Sequence, residues 1–297
     1  MIKITHKQAN ILSIKLSSTS KVRALRFVRG RLSLFNKNTA KKAKFVIVTP
    51  NPEIVIKAQK DRELIRIINA ANLSLPDGIG LAAAYKFVSF RAPKWKILRA
   101  PVLLVQGFMV GLAVLFGDRW LTKDLNIIKG RELFLELMKL ANKKGWRVFL
   151  LGGEDGEAGI AVKNLQKSLK KVVLESAQGP MLDENAIPVS RKDVKIEQDV
   201  VRSINKLKPH LLFVAFGAPK QEKWVDKWME NLSIGGAMVV GGTFNYMAKK
   251  TALPPKQMEK LGLEWLWRLI TQPGRAKRIF TAFPLFPLKV YWHRLTH

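Results

Sequence analysis

Asp77 follows a short apolar segment, residues 72–75, and precedes the glycines of Asp-Gly-Ile-Gly. A carboxylate there can take a proton from a reacting hydroxyl, or it can serve as an ordinary turn or N-cap residue for the helix that follows. Thr49 and Asn51, in Thr-Pro-Asn-Pro-Glu (49–53), place a hydroxyl and an amide at the end of another apolar segment. They suit hydrogen bonding to a polyhydroxyl substrate or orientation of Asp77, and the two prolines equally suit an extended turn. Gly152, Gly153 and Gly156 stand between a strand and a helix, where backbone N–H groups and the helix dipole favour an anion; the same glycines also satisfy plain strand-to-helix geometry. A second junction of this kind carries Gly217, Ala218, Pro219, Lys220, Gln221 and Glu222, with Lys220 able to meet a phosphate. Near the C-terminus, Arg268, Arg275 and Arg278 offer guanidinium groups suited to bidentate phosphate contact. Their spacing fits one helical face, but Gln272-Pro273-Gly274 breaks a helix between them.

Positioning such residues requires strand ends, and the hydrophobic pattern supplies them. Residues 11–16, 44–48, 72–75, 147–151, 172–175, 210–216 and 238–241 read as strands. Between them, 21–35, 52–71, 158–169 and 196–206 read as helices, the first capped by Ser18, Thr19 or Ser20. Alternation of this kind predicts a doubly wound, mostly parallel α/β sheet with helices on both faces and functional loops at the strand C-termini. The expected division is an α/β core over 1–245 and a basic, aromatic helical appendage over 246–297.

An apolar insertion at about 90–124 interrupts the core. Residues 100–117 contain no charge and follow Arg91, Lys94, Lys96 and Arg99. The length is at the lower edge of a membrane span. One crossing would separate strands that a single sheet needs on the same side, leaving a re-entrant hairpin, an interfacial helix or a buried helix.

The chain has 52 Lys and Arg against 22 Asp and Glu, a formal charge of +30. That excess attracts polyanions, with anionic lipid headgroups and nucleic acid as the leading classes. The tail from Tyr246 to His297 interleaves ten basic residues with Trp265, Trp267, Phe280, Phe283, Phe286, Tyr291 and Trp292. This mixture suits a membrane interface, RNA binding or an amphipathic appendage packed on the core. Cysteine is absent, which removes disulfides and thiolate chemistry. His6, His210, His293 and His297 are too scattered to suggest a metal cluster. No uninterrupted apolar segment of the secretory type occurs in the first 44 residues, so the N-terminus is expected to be cytoplasmic and retained.

Residues 216–278 run from Phe-Gly-Ala-Pro-Lys-Gln-Glu-Lys-Trp through Val-Gly-Gly-Thr-Phe to Leu-Gly-Leu-Glu-Trp-Leu-Trp-Arg-Leu. With Thr-Pro-Asn-Pro-Glu and Leu-Pro-Asp-Gly-Ile-Gly, this stretch resembles the WecG/TagA/CpsF glycosyltransferases. The resemblance covers about residues 44–280 and implies an inverting, metal-independent transfer of an N-acetylhexosamine-type sugar, N-acetylmannosamine or its uronic acid. The implied donor is a UDP-sugar, and the acceptor a polyprenyl-diphosphate-linked sugar of a surface polysaccharide or teichoic-acid-like polymer. It further implies no cofactor, a peripheral or monotopic place at the cytoplasmic face of the cell membrane, and self-association as in many members.

Asp77 matches the family's proposed general base, and Thr49 and Asn51 match its active-site Thr and Asn. Gly152, Gly153, Gly217, Pro219, Lys220, Gln221 and Glu222 are thereby assigned to donor binding, and Arg268, Arg275 and Arg278 to diphosphate. The chain departs from the pattern at Ile127, where the family has arginine, and at Glu132 and Asn245, where it has aspartate. Two rival readings follow: a membrane-associated homologue that has lost catalysis and acts as a scaffold, and a basic nucleic-acid-binding protein.

Overall fold

Six short apolar segments pair side by side, all in parallel, to form the central sheet of the computed structural model, which describes residues 7–35, 44–115, 119–255, 257–258, 264–271, 274 and 276–296. The chain begins with β1 (Lys7–Ile11), β2 (Ile14–Ser18), α1 (Lys21–Phe35), β3 (Phe45–Val48), α2 (Pro52–Ala58), α3 (Arg62–Ala70), β4 (Leu73–Ser74) and α4 (Ile79–Ser89). It continues through α5 (Lys96–Leu115), α6 (Arg119–Thr122), α7 (Gly130–Lys144), β5 (Arg147–Gly152), α8 (Glu157–Gln166), β6 (Val173–Ala177), α9 (Arg191–Leu207) and β7 (Leu211–Ala215). The last elements are α10 (Lys220–Trp228), β8 (Gly236–Val239), α11 (Thr243–Met247), α12 (Glu264–Thr271), α13 (Ala276–Phe280) and α14 (Phe286–Thr296).

The strand order is β4-β3-β8-β7-β5-β6. Alternate residues of each strand enter two separate cores, as a sheet covered on both faces requires. Leu212 and Val214 of β7 enter the core that also holds residues of α2, α3, α4, α9 and α10. Leu211 and Phe213 enter the other, with residues of α1, α7, α8 and α11. The expected doubly wound architecture is therefore present, and a C-terminal helix follows it. Helices after neighbouring strands leave to opposite faces at four places, β3 beside β8, β8 beside β7, β7 beside β5 and β5 beside β6, and the gaps that open there are where such sheets bind ligands.

Four expectations need correction. Residues 11–16 are not one strand, because Leu12 and Ser13 take positive φ and turn the chain between β1 and β2, an antiparallel hairpin. The helix expected over 52–71 is two, since Asp61 adopts an extended backbone and its side chain accepts from Leu64 N, starting α3 afresh. α9 begins earlier than 196, capped by Ser190. Residues 96–115 are one continuous helix, which excludes the re-entrant hairpin. α1 occupies the expected 21–35, and of the three proposed caps Ser20 Oγ accepts from Arg23 N at 3.3 Å.

Candidate active site

Thr49 and Asn51 leave the C-terminal end of β3, and Asp77 leaves the end of the neighbouring β4. The two ends are tied by the backbone N–H of Asp77 donating to Pro50 O at 2.9 Å. Asn51 is the N-cap of α2, its Oδ1 accepting from Ile54 N at 2.9 Å. The amide is thus oriented by the helix it starts, and Pro52 supplies the first helical residue.

Asp77 also caps a helix, though not the one that follows it. Its Oδ2 accepts from Gly130 N at 3.2 Å, at the first turn of α7, while Gly78 begins α4 without a side-chain cap. Gly130 also lies close against Thr49: a Cβ there would stand 3.0 Å from Thr49 Oγ1. Ile128 N donates to Pro76 O at 3.0 Å, fastening the approach to α7 beside Asp77. Thr49, Asp77 and the N-terminus of α7 consequently form one unit, with the positive end of the helix dipole on the carboxylate. Sequence reasoning passed over Gly130; its signal was a glycine opening a helical segment.

The second half of the site comes from β7, β8 and β5. Gln221, buried at the first turn of α10, accepts from Gly241 N at 3.2 Å and donates to Glu222 Oε1 at 3.0 Å, so it clamps the loop after β8 to the loop after β7. Glu222 is also buried, and burial pushes its pKa up to about 7. Its Oε2 has no hydrogen-bond partner among the described residues. Gly217 has φ +76° with open space where a side chain would stand, and Pro219 follows Ala218 through a cis peptide bond. Lys220 donates from Nζ to Leu182 O at 2.6 Å.

Gly152 has φ +98°, and a Cβ on it would lie 2.9 Å from the Ala215 carbonyl, so β5 and β7 can run together only with glycine there. In this turn Gly153 N donates to Ala215 O at 2.9 Å, and Glu154 N donates to Glu157 Oε2 at 3.1 Å. The Gly153 N–H that sequence reasoning offered to an anion is thus occupied within the protein, as is that of Glu154 beside it.

Glu53 and Lys57 connect the two halves, and neither was singled out as a site residue. Lys57 Nζ donates to Ala218 O at 3.0 Å and lies 3.4 Å from Glu53 Oε1. From the tail, Arg278 Nε donates to both Glu53 oxygens at 2.9 Å. Arg268 lies on α12 with its side chain outside the described residues, and Arg275 is outside them altogether, as is most of the Gln272-Pro273-Gly274 break. At the departures from the family pattern, Ile127 is half-buried against the core and Glu132 pairs with Lys21 of α1. Arg131 places its guanidinium 5.0 Å from the ring centre of Tyr246, next to Asn245.

The arrangement offers a carboxylate at a strand end, with a hydroxyl beside it and buried polar groups across the sheet edge. The family model described as Glycosyl transferase WecG/TagA/CpsF family matches residues 9–105 and 96–297. A Bacillus subtilis (strain 168) protein named N-acetylglucosaminyldiphosphoundecaprenol N-acetyl-beta-D-mannosaminyltransferase is 26% identical over 245 residues, 82% of this chain and 78% of the relative. Proteins of the same name from Bacillus spizizenii and Staphylococcus aureus (strain NCTC 8325 / PS 47) are 26% identical over 250 residues and 27% identical over 244. Those matches cover 83% and 82% of this chain and 79% and 78% of the relatives.

Proposed function

This chain belongs to the WecG/TagA/CpsF glycosyl transferase family, and from that premise we propose that it moves an N-acetylmannosamine-type sugar from a UDP-sugar to a polyprenyl-diphosphate-linked acceptor, with inversion. The observation that carries this reading is the unit of Thr49, Asp77 and Gly130 at the end of β3 and β4. The names of the similar proteins specify a mannosaminyl group transferred to N-acetylglucosaminyldiphosphoundecaprenol, which supports a lipid-linked acceptor.

In the reaction, an acceptor hydroxyl gives its proton to Asp77 as its oxygen attacks the anomeric carbon from the face opposite UDP. A new glycosidic C–O bond forms, the bond to the diphosphate oxygen breaks, and its electron pair leaves with UDP. Thr49 hydrogen bonds the sugar or acceptor beside Asp77, while Asn51 shapes the strand end through its cap on α2. Gln221 and Glu222, with Gly152, Gly153, Gly217, Pro219 and Lys220, form the donor side. Arg268, Arg275 and Arg278 of the basic tail stabilise diphosphate charge at the cytoplasmic face of a membrane.

The test is UDP release from a panel of UDP-N-acetylhexosamines, with and without a polyprenyl-diphosphate-GlcNAc acceptor in detergent, for wild type and Asp77→Asn. Acceptor-dependent release that the substitution removes is the expected result. Absence of release from every donor by folded wild-type protein would overturn the reading in favour of a scaffold without catalysis, with Ile127 in place of arginine as the physical reason.

A further inference from the structure

α5 has a helical periodicity of burial without a matching periodicity of polarity. Leu103 and Val110 are buried, and Gly107, Ala113 and Val114 are half-buried along the same side. The opposite side presents Leu104, Val105, Phe108, Met109, Leu112 and Leu115. Only 17% of Ile97–Leu115 is buried, and its mean hydropathy is 1.9. A surface helix bathed by water carries polar residues on that side, so this helix is composed to meet an apolar phase.

α14 packs beside this helix and is itself partly uncovered. Its Tyr291 hydroxyl donates to Ala100 O of α5 at 3.2 Å, its Tyr291 ring stacks on Phe87 of α4 at 6.3 Å, and Arg294 donates to Phe90 O. Phe286 and Val290 are buried, while Leu288 and Trp292 are exposed, as are Phe280 and Phe283 just before them. The two segments that form this surface carry charge of one sign. Residues 78–117 and 265–297 contain no Asp or Glu, but they include Arg91, Lys94, Arg99, Lys277, Lys289 and Arg294.

We propose that the exposed faces of α5 and α14 dock together into the headgroup–acyl boundary of an anionic lipid membrane, with α5 lying along the surface. α5 does not cross, because β3 precedes it, β8 follows it, and the two pair in one sheet. Anionic headgroups neutralise the surrounding cations, whereas a second copy of this chain would bring like charges together. α14 also packs against α2, which starts beside Asn51, and α5 packs against α4, which starts beside Asp77. A bilayer on this surface holds a lipid-linked acceptor next to the candidate site, and in that consequence alone the inference rests on the transferase reading.

The experiment is cosedimentation with vesicles of phosphatidylcholine, with and without phosphatidylglycerol, for wild type and Phe108→Glu/Met109→Glu, with circular dichroism as the fold control. Wild type is expected to bind the phosphatidylglycerol vesicles. The double variant should bind them at least about tenfold more weakly, since losing one large buried apolar side chain forfeits that much. In wild type, brominated lipid should quench tryptophan fluorescence, and Trp292→Phe should reduce the quenching. Equal binding by the double variant, or no binding by wild type, overturns the proposal. So does a lipid-free dimer that the double variant dissociates, which assigns the face to a second copy. Transfer to a short-chain acceptor in detergent solution reports separately on catalysis. Transfer without vesicle binding overturns the membrane surface, and vesicle binding without transfer overturns the transferase.

Discussion

Arg278 and Glu53, 225 residues apart in the chain, are joined by Nε donating to both carboxylate oxygens at 2.9 Å. Glu53 is almost fully buried in the first turn of α2, one residue beyond the Thr-Pro-Asn-Pro segment that supplies Thr49 and Asn51. The appendage is therefore fastened to the strand end that carries the candidate site. The same carboxylate lies 3.4 Å from Lys57, whose ammonium holds the Ala218 carbonyl beside Gln221.

Breaking that fastening should loosen the tail before it unfolds the core. Arg278 is half exposed, which limits the pair through solvent screening, so Arg278→Ala and Glu53→Gln in a double-mutant cycle should couple by about 1 kcal/mol in urea unfolding. Limited proteolysis within residues 276–296 should accelerate in Arg278→Ala. An additive cycle with unchanged proteolysis would show that the contact does not hold the appendage.

The cap that Asp77 supplies to α7 and the base role proposed for it are separable. An asparagine at this position keeps an acceptor oxygen for Gly130 N, so Asp77→Asn should change stability by less than about 0.5 kcal/mol. Transfer should nonetheless fall by about 10²–10⁴. Asp77→Ala loses the cap as well and should cost about 1 kcal/mol more. Urea midpoints of both variants beside their rates separate the two tasks.

Two glycines of one turn should respond unequally to alanine. At Gly152 the added Cβ meets the Ala215 carbonyl at 2.9 Å with φ at +98°, and the variant should lose about 3 kcal/mol or more. At Gly156, φ is +73° but nothing lies within 4 Å, so Gly156→Ala should cost about 1 kcal/mol. Thermal unfolding of the two variants provides the comparison, and equal losses would contradict the close packing of β5 on β7.

His210 and Glu222 should tilt stability against pH in opposite directions. Burial, with the nearby charge of Arg147, lowers His210 from 6.5 to about 4. The folded state then binds fewer protons than the unfolded one, so this contribution is lost as pH falls from 6.5 toward 4. Burial raises Glu222 from 4.5 to about 7; the folded state holds the extra proton, and stability falls as pH rises through that range. Glu222→Gln should therefore leave stability nearly unchanged at about pH 4 and raise it by up to roughly 3 kcal/mol near pH 8. A gain of equal size at both pH values would show that burial of the charge is not the cause.

Local sequence carried much of the scaffold. Phe45–Val48 and Leu211–Ala215 are continuous apolar runs because both faces of a parallel strand are covered, and that signature survives in a single sequence. The helix over 21–35 was legible from periodicity and a serine cap. The β1–β2 turn was not, because Leu12 and Ser13 are poor turn residues whose positive φ is imposed by the pairing of the strands around them. The break at Asp61 was hidden because residues 59–63, Gln-Lys-Asp-Arg-Glu, contain no Gly or Pro and suit the exposed face of one continuous helix, and only the extended backbone and cap show the restart.

Asp77, Thr49, Asn51 and Gln221 could be placed after strands from the sequence because residue type and position along the chain are local properties, while the roles expected of them came from the family resemblance. That Asp77 caps α7, that Gln221 clamps the Gly241 loop, and that Arg278 spends its Nε on Glu53 depended on which strand ends and helices become neighbours. The sequence by itself determined the alternating α/β pattern, the basic excess and the chemistry-bearing residue types, since each follows from composition and short-range period. Tertiary structure alone decided which partners those residues meet and which side of α5 is left uncovered, because both depend on contacts between segments far apart in the chain.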